Sequence, residues 1–353
     1  MTAVGINGLG RIGRLLARRM YERDDSRHAL ELAMCNEVAD VKTVVHLLKY
    51  DSTHGRFSYP VAFDKNGLQI ADRRARLSHK TEPSNVLWGD RGVDIVIDCT
   101  GTEFTRASAS AHLGNGVSRV LLSQPASIDV DSTIIWGLNH SLLTRDMSVI
   151  SAGSCTSNAL MPVLSVIDRA FGMNAGIVTT IHSAMNDQPV IDAYHHTDLR
   201  KTRAAFNSVI PVETGLAQGV GRFFPHLSGK ISARALRVPT LNVSSLDVVL
   251  SVDKSTSAHE VNAVISESLD DFDGVLAVNM EPLASCDFLG AEASSIVDTT
   301  QTQVSNERLI KLMIWFDNEW AFVNRMVDIV LRLSDFVAEE SSSQQTRTNS
   351  KYK

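Results

Sequence analysis

The stretch AVGINGLGRIGRLLARRMYE, Ala3 to Glu22, begins as a short apolar run, turns through Gly8, Gly10 and Gly13, and continues with Leu15, Leu16 and Met20 at helical spacing. A lone G-x-G-x-x-G pattern is a weak signal; between a strand and a helix it describes a dinucleotide-binding turn. The glycines let the backbone approach a pyrophosphate at the helix N-terminus, with Arg11 and Ile12 as the neighbouring cofactor contacts. A second apolar run, ALELAMCNE, ends in Glu37, about 20 residues past the turn, where an acid accepts hydrogen bonds from the adenosine ribose diol. VDIVIDCTG (Val93 to Gly101) and RVLLSQP (Arg119 to Pro125) are continuous apolar runs of the kind found in parallel sheets. Cys99 reads as a small core residue, and Ser123 as a further cofactor contact. Residues 1–153 are therefore expected to form a doubly wound parallel sheet of Rossmann type that binds NAD.

The pattern changes in the second half. GIVTTIHSA is a β-branched strand ending in His182, and SARALRVPT, SSLDVVLSVD and RLIKLMIWFD are further strands, with alternation strongest in the middle one. Between them HEVNAVISESL reads as a helix opened by a capping box from Ser257 to Glu260. An α+β catalytic domain with a mixed or antiparallel sheet is expected over residues 154–316. DNEWAFVNRMVDIVLRL has helical periodicity with Asp317 as N-cap, and residues 317–337 are expected to return as a helix to the first domain. The remainder, 338–353, is polar and poor in aromatics, the composition of a disordered tail.

The bulk properties exclude several function classes. The 353 residues suffice for two cored domains, and 44% hydrophobic with 21% charged content is ordinary for a globular protein. A net charge of -6 gives no basis for nucleic-acid or membrane-surface partners, so an anionic substrate needs a local group of Arg and Lys. Cys35, Cys99, Cys155 and Cys286 lie far apart, with neither metal-ligand spacing nor a disulfide framework, which favours a reducing cytoplasm. No metal site is expected. No signal peptide or membrane span is expected either, because strand and glycine turn begin at once.

SAGSCTSNAL, Ser151 to Leu160, places Cys155 among small hydroxyl residues just before the apolar periodic run LMPVLSVIDRAF. That is a loop feeding a helix N-terminus, where dipole and orphan N–H groups are expected to stabilise a thiolate. Ser154 and Thr156 flank it as substrate contacts. An imidazole at His182 would draw the thiol proton, and the thiolate would attack a carbonyl carbon. With a nicotinamide cofactor in the same chain, the thiohemiacetal yields hydride and leaves a thioester for a second nucleophile.

From INGLGRIGR to WFDNEWAFVNRM the chain resembles the phosphorylating glyceraldehyde-3-phosphate dehydrogenase superfamily over everything but the tail. The resemblance implies Cys155 as nucleophile, His182 as its activator and Asn318 as a contact of the nicotinamide carboxamide. The superfamily's SNASCTTNC appears as SAGSCTSNA, with small residues kept throughout. Within the superfamily LLKYDSTHGRF, CNEVAD and TTIHSAMNDQPVIDAYHHTDLRKTRAA are similar to the erythrose-4-phosphate dehydrogenase branch. Met185 stands where typical glyceraldehyde-3-phosphate dehydrogenases carry a phosphate-binding threonine, and a methionine donates no hydrogen bond. Thr214 and Gly215 resemble the second phosphate site, and Arg237 the substrate-phosphate arginine. Arg200, Lys201 and Arg203 add positive charge, with Lys201 where the family has Arg, so the bidentate fork is absent. Thr81 stands where an arginine is expected near the adenine.

The leading expectation is NAD-dependent oxidation of D-erythrose 4-phosphate to 4-phosphoerythronate, upstream of pyridoxal 5′-phosphate, with water cleaving the thioester. The alternative is oxidation of glyceraldehyde 3-phosphate, with inorganic phosphate as second nucleophile. A third reading, from the altered SAGSCTSNA loop, is a catalytically silent NAD-binding or redox-sensing protein. A homotetramer is implied by the resemblance alone.

Overall fold

The computed structural model describes residues 1–351 except 66, 103 and 104, and for 341–351 the backbone alone. The chain forms two compact units, Met1–Ser154 with Val323–Lys353, and Cys155–Phe322.

In the first unit the strands are β1 (Thr2–Asn7), β2 (Leu30–Asn36), a separate hairpin β3 (Tyr50–Asp51) and β4 (Gly55–Arg56), β5 (Val61–Asp64), β6 (Gly67–Ile70), β7 (Arg73–Ser78), β8 (Ile95–Asp98), β9 (Arg119–Leu122), β10 (Ser132–Thr133) and β11 (Val149–Ser151). Their order in the sheet is β10-β11-β9-β8-β1-β2-β7-β6-β5. Pairing is parallel from β10 to β7, and the β5–β6–β7 edge is antiparallel. The central strands β8 and β9 are buried along their whole length, which is why they read as unbroken apolar runs. The strand order reverses at β1, between β2 and β8, the place where ligands bind in open sheets of this type. Asn7, Asn36 and Asp98 are in register there, so the three strands end level.

Helix α1 (Arg11–Glu22) follows the glycine turn and buries Leu15, Leu16 and Met20. A short helix α2 (Asp24–Ala29) then takes Ala29, which apolar patterning assigns to β2. Asp24 and Asp25 in its first turn and Arg27 and His28 in its last suit the helix dipole, a local preference that overrides the pattern. Helices α3 (Val41–Lys49) and α4 (Arg106–Ala109) also belong to this unit.

In the second unit α5 (Cys155–Phe171) leads into β12 (Met173–His182), and β13 (Ile210–Val212), α6 (Leu216–Phe223), β14 (Ile231–Arg237), β15 (Ser244–Val252), α7 (Ala258–Glu267), β16 (Leu276–Asn279), β17 (Ser295–Asp298), β18 (Gln303–Ser305) and β19 (Leu309–Phe316) follow. The sheet order is β13-β14-β12-β15-β19-β17-β16, with β18 paired to β19. β12 is parallel to β14 and antiparallel to β15, so the sheet is mixed. The capping box of α7 is present: Glu260 N–H donates to Ser257 Oγ, and Ser257 N–H to the Glu260 carboxylate.

The last helix, α8 (Trp320–Lys351), starts after Asp317, whose carboxylate accepts from the N–H groups of Glu319 and Trp320. From Val323 it belongs to the first unit, where Arg19 donates to Asn324 at 2.7 Å and Arg23 pairs with Asp328. The span expected as a tail, 338–353, begins inside this helix. The backbone stays helical through Lys351, and Glu339 and Glu340 pair with Arg145 and Arg119. The Arg119 side chain is only 2% exposed, and Glu340 supplies the anion that a buried guanidinium needs. Composition alone does not reveal that partner. Among the described residues no helix is long and apolar enough to cross a membrane.

Candidate active site

The glycine turn is shaped by three separate demands. Gly8 has φ +88°, a region that favours glycine, and its N–H donates to the Asn36 carbonyl at 2.8 Å. A Cβ on Gly13 would lie 2.0 Å from the Gly8 carbonyl oxygen, so α1 sits directly on the turn. Gly10, at the mouth of α1, faces open space. Glu37 stands just past β2, where one carboxylate oxygen accepts from Leu9 N–H at 2.7 Å and the other from Ala39 N–H at 3.1 Å. Gly8, Gly10 and Glu37 line a cavity of about 500 Å³ together with Asn7, Lys80, Thr81 and Thr100. Lys80 thus brings a cation to the cavity wall next to Thr81, where the resemblance implies an arginine. An open helix N-terminus, an acid held at the strand end and room for an extended ligand fit a dinucleotide.

Arg11, taken from sequence as a cofactor contact, is held by Asp51. Burial would raise Asp51, but N–H bonds from His54 and Thr53 and the Arg11 guanidinium outweigh it and hold the acid at about 2. Ile12 lies half-buried in the first turn of α1. Ser123 follows β9, its N–H donating to the Asp98 carbonyl at 3.0 Å and its side chain bonding Cys99. Cys99 is buried as expected, and it also lines the cavity.

Beneath the cavity is a polar network that sequence reasoning missed. Asn7 donates to Asp98 at 2.6 Å, Asn36 donates to Asn7 at 2.8 Å, and Thr100 donates to the other Asp98 oxygen. Trp88 Nε1–H donates to His112 Nδ1 at 3.2 Å. Indole only donates, so the imidazole proton sits on Nε2 and faces Asp98, 3.1 Å away. Burial works to raise Asp98, yet bonds from His112, Asn7 and Thr100 keep it below the usual carboxylate range. The hint available in sequence was an acid ending an otherwise apolar strand.

NAD is expected to bind in preference to NADP by at least about tenfold, because a 2′-phosphate would meet the Glu37 carboxylate. Glu37→Ala should shrink that preference. Titration calorimetry with both cofactors checks this, and comparable wild-type affinities would refute the role of Glu37.

The chain leaves β11 through Ala152–Ser154, where Gly153 has φ +69°, and α5 opens at Cys155. Cys155 Sγ lies 3.7 Å from His182 Nε2 and 3.9 Å from Thr156 Oγ1. His182 Nδ1–H donates to the Ser183 carbonyl at 2.9 Å, which leaves the Nε2 lone pair directed at the thiol. The pair predicted from sequence is thus brought together by α5 and the end of β12. Its resting charge differs from expectation. Surrounding protein pushes the Cys155 thiol up to about 11, and bonds from the Thr156 hydroxyl and N–H offset this only in part. Burial also lowers His182, aided by nearby Arg237 and opposed by the Ser183 bond. The pair therefore rests as thiol and neutral imidazole rather than as the thiolate expected at a helix start.

Asn318 is locked by its amide oxygen, which accepts from Ser244 Oγ at 2.8 Å and Ser183 Oγ at 3.1 Å. Its NH₂ is thereby oriented as a donor. Arg237 ends β14 in register with His182 of β12, and is buried. Asp187 bridges it to Lys201, whose Nζ is 2.9 Å away. Asp187 was not foreseen, although it lies two residues past Met185. Of the basic cluster read from sequence, Lys201 joins Arg237, whereas Arg203 pairs with Asp192 and Arg200 is exposed. Thr214 Oγ1 accepts from Leu216 N–H at 3.2 Å, setting Thr214 and Gly215 at the N-terminus of α6. Ser154 is half-buried next to the nucleophile.

A dinucleotide crevice in one unit, and a thiol–imidazole pair with a basic cluster in the other, are parts that a nicotinamide-dependent dehydrogenase requires. Residues 2–106 match the NAD binding domain of glyceraldehyde 3-phosphate dehydrogenase, and residues 154–318 match its C-terminal domain. The chain belongs to the glyceraldehyde-3-phosphate dehydrogenase superfamily: it is an NAD-dependent oxidoreductase acting on aldehyde sugar phosphates.

Proposed function

We propose that the chain oxidises D-erythrose 4-phosphate to 4-phosphoerythronate and that water cleaves the thioester. His182 takes the Cys155 proton as the sulfur adds to the aldehyde carbon and returns it to the resulting oxyanion, giving a thiohemiacetal and a neutral imidazole. The thiohemiacetal O–H proton passes to His182 as hydride leaves the same carbon, giving a thioester on Cys155. Bound NAD supplies the hydride acceptor. Water then adds to the thioester carbon, the carbon–sulfur bond breaks, and Cys155 recovers its proton as the acid product departs. The Asn318 NH₂ is oriented to hold the nicotinamide carboxamide, and Arg237 and Lys201 anchor the substrate phosphate, with Arg200 next to Lys201, and Ser154 and Thr156 next to Cys155, as further substrate contacts.

The observation that carries the choice of substrate is Met185. It is 47% exposed and brings a thioether where the superfamily's phosphate-binding hydroxyl is expected. One lost hydrogen bond to a charged group is worth about 1.5–3 kcal/mol, or roughly ten- to a hundredfold in phosphate affinity. The rival reading, glyceraldehyde 3-phosphate with inorganic phosphate as second nucleophile, draws on Thr214 and Gly215, which keep their donors at the start of α6. NADH production in phosphate-free buffer separates the two. The proposal expects turnover without phosphate and erythrose 4-phosphate used at least as well as glyceraldehyde 3-phosphate. If turnover stops there and returns with phosphate, and the three-carbon aldehyde is preferred, the rival is correct.

Self-association as a homotetramer is part of the proposal. The segment between His182 and β13 exposes Val190, Ile191, Tyr194 and Leu199, apolar surface that a second copy would cover. A place in the cytoplasm and in pyridoxine biosynthesis rests on the resemblance and the cysteine pattern.

A further inference from the structure

The loop after β12 brings a carboxylate to the position where the anion of the substrate is to be held. Asp187 accepts from Arg237 through Oδ1 and from Lys201 through Oδ2, so one carboxylate engages both cations and offsets one of their two charges. Arg237 is 7% exposed and the Asp187 side chain 39%, which puts the buried cation behind and the carboxylate toward solvent. Burial would raise the Asp187 carboxyl, but bonds from Arg237 and Lys201 hold it below the usual range, and it is ionised at neutral pH.

We propose that Asp187 is a built-in counter-ion that determines which anions the site accepts: it keeps free inorganic phosphate and sulfate out, and yields to a phosphate ester tethered through Cys155. The inference rests on the reading of Arg237 and Lys201 as the substrate-phosphate anchors. An incoming free anion must displace two charge-assisted hydrogen bonds and approach a like charge, while bearing the whole loss of its translational freedom. A phosphate on an aldehyde already bonded to Cys155 arrives at an effective concentration near millimolar or above, and competes with Asp187 as one tethered group with another. A half-exposed aspartate needs only a rotamer change to give way. The same device works against inorganic phosphate as second nucleophile, in the direction that Met185 already sets.

The test is titration of the full chain with inorganic phosphate, and separately sulfate, by calorimetry at constant ionic strength. Asp187→Asn is expected to bind either anion at least about tenfold more tightly than wild type, because a like charge near the site is removed. Adding Lys201→Gln to that variant should reverse the gain. Asp187→Glu keeps the charge and should bind phosphate no better than wild type. Equal phosphate affinity in wild type and Asp187→Asn overturns the proposal, and so does a gain in Asp187→Glu, which would trace the effect to loop distortion. No turnover is needed for these titrations. If neither aldehyde is oxidised, the proposed reaction fails while the counter-ion assignment is still decided by the phosphate affinities.

Discussion

Replacing Cys155 by serine is expected to lower NADH production by more than about a thousandfold while NAD affinity stays unchanged. A serine hydroxyl of the same size keeps the turn and the start of α5, so loss of activity reports chemistry rather than folding. Its proton is far harder to remove than that of a thiol, and a neutral imidazole 3.7 Å away cannot generate an alkoxide in useful amount. The substitution changes none of Gly8, Gly10, Glu37 or the polar network under them, so the NAD crevice keeps its lining. Stopped-flow absorbance of NADH and calorimetric titration of NAD give both halves of the result. A serine variant that still shows a burst of NADH would remove Cys155 from the mechanism. A wild type with no burst on either aldehyde would support the silent NAD-binding reading.

His182→Asn is expected to slow turnover by roughly a hundred- to ten-thousandfold, the span of a lost general base. The sign of its pH dependence follows from the directions already given. With the thiol raised to about 11, the deprotonated fraction of Cys155 in the ligand-free chain grows with pH across the whole neutral and alkaline range. Below that value each pH unit is worth about a factor of ten in thiolate. Alkylation of Cys155 by iodoacetamide should therefore climb with pH in both proteins, with the variant slower at neutral pH and the two converging toward pH 11. Because His182 is lowered from its ordinary value, its basic form persists into mildly acid solution, and the acid limb of wild-type turnover should lie below about 6.5. Mass spectrometry must follow Cys155 itself, since Cys286 is exposed, whereas Cys35 is buried and pushed up to about 12. Equal labelling of Cys155 at neutral pH in wild type and variant would show that the imidazole does not act on the thiol.

The parts of the protein legible in its sequence are those set by neighbouring residues. Gly8 must adopt φ +88° and Gly13 has no room for a Cβ, so a strand–turn–helix was readable from glycine spacing alone. The capping box of α7 and the Asp317 start of α8 depend on side chains a few positions from the amides they satisfy. Glu37 and Cys155 were found because each marks an element boundary, the end of β2 and the start of α5.

Other features depend on pairings between distant segments, which no local pattern records. Parallel register of β12 with β14 sets His182 beside Arg237, and only then does Asp187, in the loop that follows, become the partner of Arg237 and Lys201. The Trp88–His112–Asp98–Asn7 network joins four separate elements, and Glu340 pairs with buried Arg119, more than 200 residues away in the chain. The charge of the nucleophile shows the limit most clearly. Its place at a helix N-terminus, read from sequence, argues for a thiolate. Desolvation argues the other way and outweighs it, because removing a charge from water costs more than a helix end returns.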